Sequence, residues 1–84
     1  MITKGKIAIY RHYRGDIDGW ARAGTVEQKA IMTDKDWLVI ESCVQDIKLA
    51  KNGLASKSYV ALIYDRLHEI CDSQETIDEL KAIA

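Results

Sequence analysis

The chain has 84 residues, 48% hydrophobic and 30% charged, with a formal net charge of −1. That balance describes one small globular domain and excludes a disordered or collagen-like chain. No segment approaches the roughly 18 consecutive apolar residues of a membrane span, and Met1-Ile2-Thr3-Lys4 opens without the apolar stretch of a secretion signal.

The near-neutral total conceals a division. Residues 1–30 carry six basic and three acidic side chains, and residues 31–84 carry six basic and ten acidic ones. Gly5, Gly15, Gly19 and Gly24 fall in the front half, and only Gly53 falls in the back. A basic, turn-rich front therefore precedes an acidic back. Such a split is either the ordinary acidity of helix surfaces or a bipolar surface that orients a partner.

From the N-terminus, Lys6 to Tyr13 reads as a strand, because Ile7 and Ile9 alternate with Lys6, Ala8 and Tyr10. Arg14-Gly15-Asp16-Ile17-Asp18-Gly19 is a dense turn signal. Trp20 to Ala23 then returns as a second strand, completing a hairpin. The competing reading there is a short helix, capped by Asp16 or Asp18 and stopped at Gly24. Thr25 to Met32 has no strict period.

The acidic back is clearer. Thr33 or Asp34 caps a helix over 34–51, whose apolar face carries Trp37, Ile40, Val44 and Ile47. Asn52-Gly53 ends it with a left-handed cap, and Leu54 is placed to close the accompanying hydrophobic contact. Ser56 caps the next helix, with Val60, Ile63, Tyr64, Leu67, Ile70 and Cys71 as its stripe. Ser73 caps a last short helix carrying Ile77, Leu80 and Ile83. The expected fold is α+β: an N-terminal β-hairpin or meander packed on about three helices, with an αα-hairpin turning at Asn52-Gly53.

Several patterns that could carry chemistry are incomplete. His68 and Cys71 have a spacing suited to two zinc ligands, but His12 and Cys43 are scattered, and structural zinc takes a closed set of four. Cys71 lies on an apolar stripe, which raises a thiol pKa and disfavours a catalytic thiolate. Asp16-Ile17-Asp18-Gly19 opens like a calcium loop, yet Trp20, Ala21 and Ala23 supply no side-chain oxygens. Arg14-Gly15-Asp16 matches the integrin-recognition tripeptide and is explained as a turn. The acidic residues Asp72, Glu75, Asp78 and Glu79 form the wet face of a helix. A helix-turn-helix around Gly53 would aim Ser56, Lys57, Ser58 and Tyr59 at DNA. Lys48 and Asn52 stand where that motif buries apolar groups, and bulky Leu49 occupies the close-approach position. No catalytic residues, metal or cofactor are therefore expected, and the chain is not expected to be an enzyme. Two cysteines, Cys43 and Cys71, are too few for a disulfide framework. Free thiols in a cytoplasmic, bacterial or phage-like protein are expected, with a Cys43–Cys71 bridge as the alternative.

The most suggestive cluster lies in the front. Tyr10, Arg11, His12, Tyr13, Arg14, Trp20 and Arg22 place three aromatics, three arginines and a histidine within thirteen residues. Tyrosine, tryptophan and arginine are enriched at protein interfaces. Arg11, Tyr13, Arg14, Trp20 and Arg22 are thus the expected contact surface for a protein partner, with Trp20 as anchor. Nucleic-acid binding by the same basic surface is the alternative. A homodimer through the exposed aromatics is a further arrangement the sequence allows.

Overall fold

A computed structural model describes residues 1–84. It contains six helices: α1 (Lys4–Tyr13), α2 (Ile17–Ala23), α3 (Val26–Ile31), α4 (Asp34–Lys51), α5 (Lys57–Ile70) and α6 (Gln74–Ile83). Each begins where a short polar side chain satisfies a backbone N–H that has no partner within the helix. Thr3, Asp16, Thr25, Thr33, Ser56 and Ser73 accept from Lys6, Gly19, Gln28, Asp36, Tyr59 and Thr76 respectively. Each such cap is worth about 1 kcal/mol. Thr25 with Gln28, and Thr33 with Asp36, form reciprocal capping boxes.

The α+β expectation is overturned: 77% of the residues are helical and there is no strand or sheet. The segment expected as the first strand is α1, and the segment expected as the second belongs to α2. The short-helix alternative for this second segment is the one that forms, capped at Asp16 and ended at Gly24. Ile7 and Ile9 are both buried, although two residues apart on a helix they point about 200° from each other. Both can be buried because α1 is flanked by α2, α3, α4 and α6. The alternation reflects a helix covered on two sides rather than a pleated strand. The sole β-type pairing is an isolated parallel bridge, in which Ile2 N–H donates to the Ile70 carbonyl and Asp72 N–H to that of Ile2.

The back half follows its sequence signals. Gly53, at φ 69°, closes α4 with two bonds: Leu54 N–H to the Leu49 carbonyl and Gly53 N–H to that of Ala50. This is the pattern expected of a glycine cap, although Leu54 itself remains exposed. Ile40, Cys43, Val44, Ile47, Ile63, Leu67, Ile77 and Leu80 join Ile7, Met32 and Trp37 in one core. The front docks on this core through aromatic rings. Trp37 lies 5.5 Å from Trp20, 5.8 Å from Tyr10 and 6.5 Å from Tyr13, centroid to centroid.

The charge division has a structural outlet. Three of the four ion pairs join the basic front to the acidic back: Lys4–Glu75, Lys6–Asp36 and Arg11–Glu79. The first and third tie α1 to α6 and are too exposed to contribute much individually. Lys6–Asp36, at 3.0 Å, is largely enclosed.

Between α1 and α2 the chain turns through two consecutive left-handed residues, Arg14 (φ 52°) and Gly15 (φ 79°). A Cβ on Gly15 would lie 3.3 Å from Glu41 Oε2 and 3.7 Å from the Tyr10 hydroxyl. Gly15→Ala therefore combines a disfavoured φ with crowding and is expected to cost about 1–2 kcal/mol. Urea unfolding checks this, and an unchanged midpoint would contradict it.

Candidate functional site

The last turn of α1, the middle of α4 and the end of α6 enclose a groove of about 450 Å³. It is lined by Tyr10, Arg11, Arg14, Val44, Lys48 and Ile83. Val44 and Lys48 are one turn apart on α4 and share a face, Tyr10 and Arg11 come from the last turn of α1, and Arg14 reaches the groove from the left-handed turn that follows that helix. Val44 and Ile83 supply apolar contact, and Arg11, Arg14 and Lys48 supply three cations.

Those cations differ in their commitments. Arg11 reaches Glu79 only at 4.0 Å, with its side chain half exposed. Neither Arg14 nor Lys48 has a carboxylate within 4.0 Å. One wall is fixed by the Tyr10 hydroxyl, which donates to Glu41 Oε2 at 2.5 Å. The Tyr10 hydrogen bond, another from Gln45 and the field of Lys48 hold the Glu41 carboxyl below the usual carboxylate range, against the effect of burial. Burial and the facing Glu41 push the Tyr10 phenol upward. The pair thus stays as neutral phenol and carboxylate through the physiological range.

Arg14 is the only residue other than glycine with positive φ. The left-handed conformation costs a side-chain-bearing residue about 1–2 kcal/mol, and the position following a helix ordinarily favours glycine. The arginine held there is exposed and lines the groove.

Of the five residues expected to form a contact surface, the structure brings Arg11 and Arg14 into this groove. Arg22 is exposed on the last turn of α2, away from it. Tyr13 is half-buried, with its hydroxyl donating to Gln28 Oε1 at 3.3 Å and its ring against His12 and Trp37. Trp20, expected as the anchor, is 7% exposed and packed edge-on against Trp37. The exposed aromatics expected to face a second copy are therefore largely turned inward. Sequence reasoning missed Lys48, Val44 and Ile83 as site residues. The charge of Lys48 among the apolar residues of α4 was visible, but its juxtaposition with Arg14 depends on how α1 packs.

The other candidates have simpler settings. Cys43 and Cys71 are both buried free thiols. Burial raises both, and Cys71, with Cys43 and Asp72 nearby, is pushed up to about 11. His68 is exposed. No helix is long and apolar enough to cross a membrane. A scan against protein-family models finds no match, and searches of curated proteins and solved structures likewise find none.

Proposed function

We propose that this is a small docking or regulatory protein that holds an acidic segment of a protein partner in the groove between α1, α4 and α6. The observation that carries this reading is a built arrangement of Arg11, Arg14 and Lys48 around an apolar floor, with two of the three cations unpaired. Arginine makes planar, bidentate contacts with carboxylates, and Lys48 adds a flexible point charge. Val44 and Ile83 offer burial for one apolar side chain flanked by those carboxylates. Arg14 held in a left-handed backbone supports the same reading, because strain of this kind tends to be retained at functional positions. The two buried free thiols suit a reducing cytoplasm.

The test uses a fluorescent twelve-residue peptide with glutamates flanking a single leucine, and its glutamine counterpart. The acidic peptide should bind and the glutamine peptide should not. Arg14→Glu with Lys48→Glu should weaken binding by roughly 100-fold, the scale of hot-spot loss. Arg14→Gly should weaken it by about tenfold without lowering stability, since glycine relieves the left-handed backbone at some cost in unfolded-chain entropy. Retention on single-stranded DNA that falls steeply with salt, in place of peptide binding, would instead favour the nucleic-acid reading. Equal binding by wild type and the double reversal would contradict the proposed site.

A further inference from the structure

We propose that the outer face of α4 and α5 is a self-association surface, occupied by the same face of a second copy of this chain. This inference uses residues separate from the docking groove. Leu38 (69% exposed), Leu62 (63%), Tyr59 (42%) and Leu49 (39%) are the large hydrophobic side chains left uncovered on these two helices. Leu38 and Leu49 are eleven residues apart on α4, so they share a face, with Ser42 and Gln45 between them. On α5, Tyr59, Leu62 and Arg66 form the corresponding row.

The rows are neighbours, joined by their own polar groups. Arg66 donates to Ser42 Oγ at 3.2 Å and to Asp46 Oδ2 at 3.5 Å, and the Tyr59 hydroxyl donates to Asp46 Oδ1 at 3.4 Å. Ser42, Asp46, Tyr59 and one guanidinium nitrogen of Arg66 thus already have partners within the chain, which lowers the cost of covering the seam. Asp46 and Arg66 neutralise each other.

Two further charges, Lys35 and Glu69, border the same end of the face. They line one shallow groove of about 440 Å³, yet they do not pair with each other within 4.0 Å. A two-fold axis parallel to the helices would set α4 of one copy on α5 of the other with both ends in register. Lys35 of each copy would then meet Glu69 of the other, and Leu49 would meet Tyr59. These charges are therefore complementary to their own copies across the two-fold axis, as an isologous interface requires.

The area is also suited to a dimer. An 18-residue helix is about 27 Å long, and two helices packed 8–10 Å apart present a face about 20 Å wide. The plan area of about 500 Å² per copy, with side-chain relief added, approaches the lower end of the roughly 1,200–2,000 Å² buried in total by specific interfaces. The single chain is elongated, with a radius of gyration of 13.1 Å and extents of 41 × 22 × 19 Å; a compact chain of this length would have a radius of about 12 Å.

Sedimentation equilibrium of the full chain, from about 1 μM to 1 mM, tests the proposal. The expected mass rises from 9.5 kDa toward twice that value. Leu38→Glu with Leu62→Glu should remain monomeric throughout, a weakening of at least about 100-fold, with unchanged helicity and melting because both side chains are exposed. Lys35→Glu should weaken association about tenfold by opposing Glu69, and adding Glu69→Lys should restore it. A wild-type chain that stays monomeric throughout overturns the proposal, as does a dimer unaffected by the leucine substitutions. A charge exchange that fails to restore association overturns the in-register arrangement.

Discussion

Replacing Trp37 by alanine is expected to cost about 3–5 kcal/mol, a large share of the about 4–13 kcal/mol total stability of a chain this size. Trp37 is 1% exposed and meets Tyr10, Tyr13 and Trp20. It is thus a central point at which the front helices dock on the back, and removing it weakens the packing of α1 and α2 on α4. Trp20→Ala should cost about 3 kcal/mol, within the range for an aromatic core truncation. Arg22→Ala, at an exposed position, should stay within about 0.5 kcal/mol. Urea unfolding of these variants, followed by circular dichroism, separates core from surface. A loss below 1 kcal/mol for Trp37→Ala would contradict the packing. The indole N–H groups of both tryptophans lack a hydrogen-bond partner. Trp37→Phe should consequently be much milder than Trp37→Ala, since phenylalanine keeps most of the ring contact and brings no unpaired donor.

The second large effect is expected at Asp36. Its carboxylate meets Lys6 Nζ at 3.0 Å and accepts from Thr33 N–H at 3.0 Å, while Thr33 Oγ1 accepts from Asp36 N–H at 3.2 Å. The ion-pair side chains are only 16% and 12% exposed. Asp36→Ala should therefore cost about 3 kcal/mol, because it removes a capping bond and leaves a poorly hydrated ammonium without its counter-ion. Lys6 would keep its bond to the Met1 carbonyl, which places the expected cost at the lower end for enclosed pairs. Asp36→Ala with Lys6→Met should recover much of the loss by removing the stranded charge.

The pH dependence has a defined sign. Burial pushes the Asp36 carboxyl upward, but the Thr33 backbone and side chain and the Lys6 ammonium together bring it below its ordinary value. Glu41 is lowered as well, chiefly by the Tyr10 hydroxyl. Groups lowered in the folded state contribute stability that is fully present above their unfolded pKa values, about 4. That contribution is lost as the pH falls through their folded values. Wild type should lose stability below about pH 4, and Asp36→Ala should show a shallower loss there. Identical acid profiles would contradict this assignment.

The contrast between the two halves shows what was legible in the sequence. Thr33, Ser56 and Ser73 announce the starts of α4, α5 and α6, and regular apolar spacing marks their buried faces. Gly53 with Leu54 marks the turn between α4 and α5. In the front, α1 begins at Thr3 without an acidic first turn and with Gly5 in that turn, so its usual start signals are weak. Burial on two sides then gives Ile7 and Ile9 the spacing of a strand. Thr25-Val26-Glu27-Gln28 did carry a capping-box pattern for α3, but that helix buries none of its own residues and shows no apolar period.

The groove proposed as the docking site was only partly legible for the same reason. The positions of Arg11 and Arg14 followed from their clustering, whereas their meeting with Lys48 required the packing of α1 on α4. Trp20 and Tyr13 were expected at the contact surface because they cluster with arginines, a composition enriched at interfaces. A helical front turns both toward Trp37. The basic front and acidic back also acquire a specific meaning: three ion pairs join them within the chain, leaving Arg14 and Lys48 as the unpaired cations of the groove.

The most direct test of the proposed docking site is an NMR titration of the isotopically labelled protein with the acidic leucine peptide. The expected result is saturable shifts centred on Tyr10, Arg11, Arg14, Val44, Lys48 and Ile83, absent with the glutamine peptide and lost in Arg14→Glu with Lys48→Glu. No saturable shifts in the groove, or shifts centred on Arg22 and the outer face of α2 instead, would contradict the account.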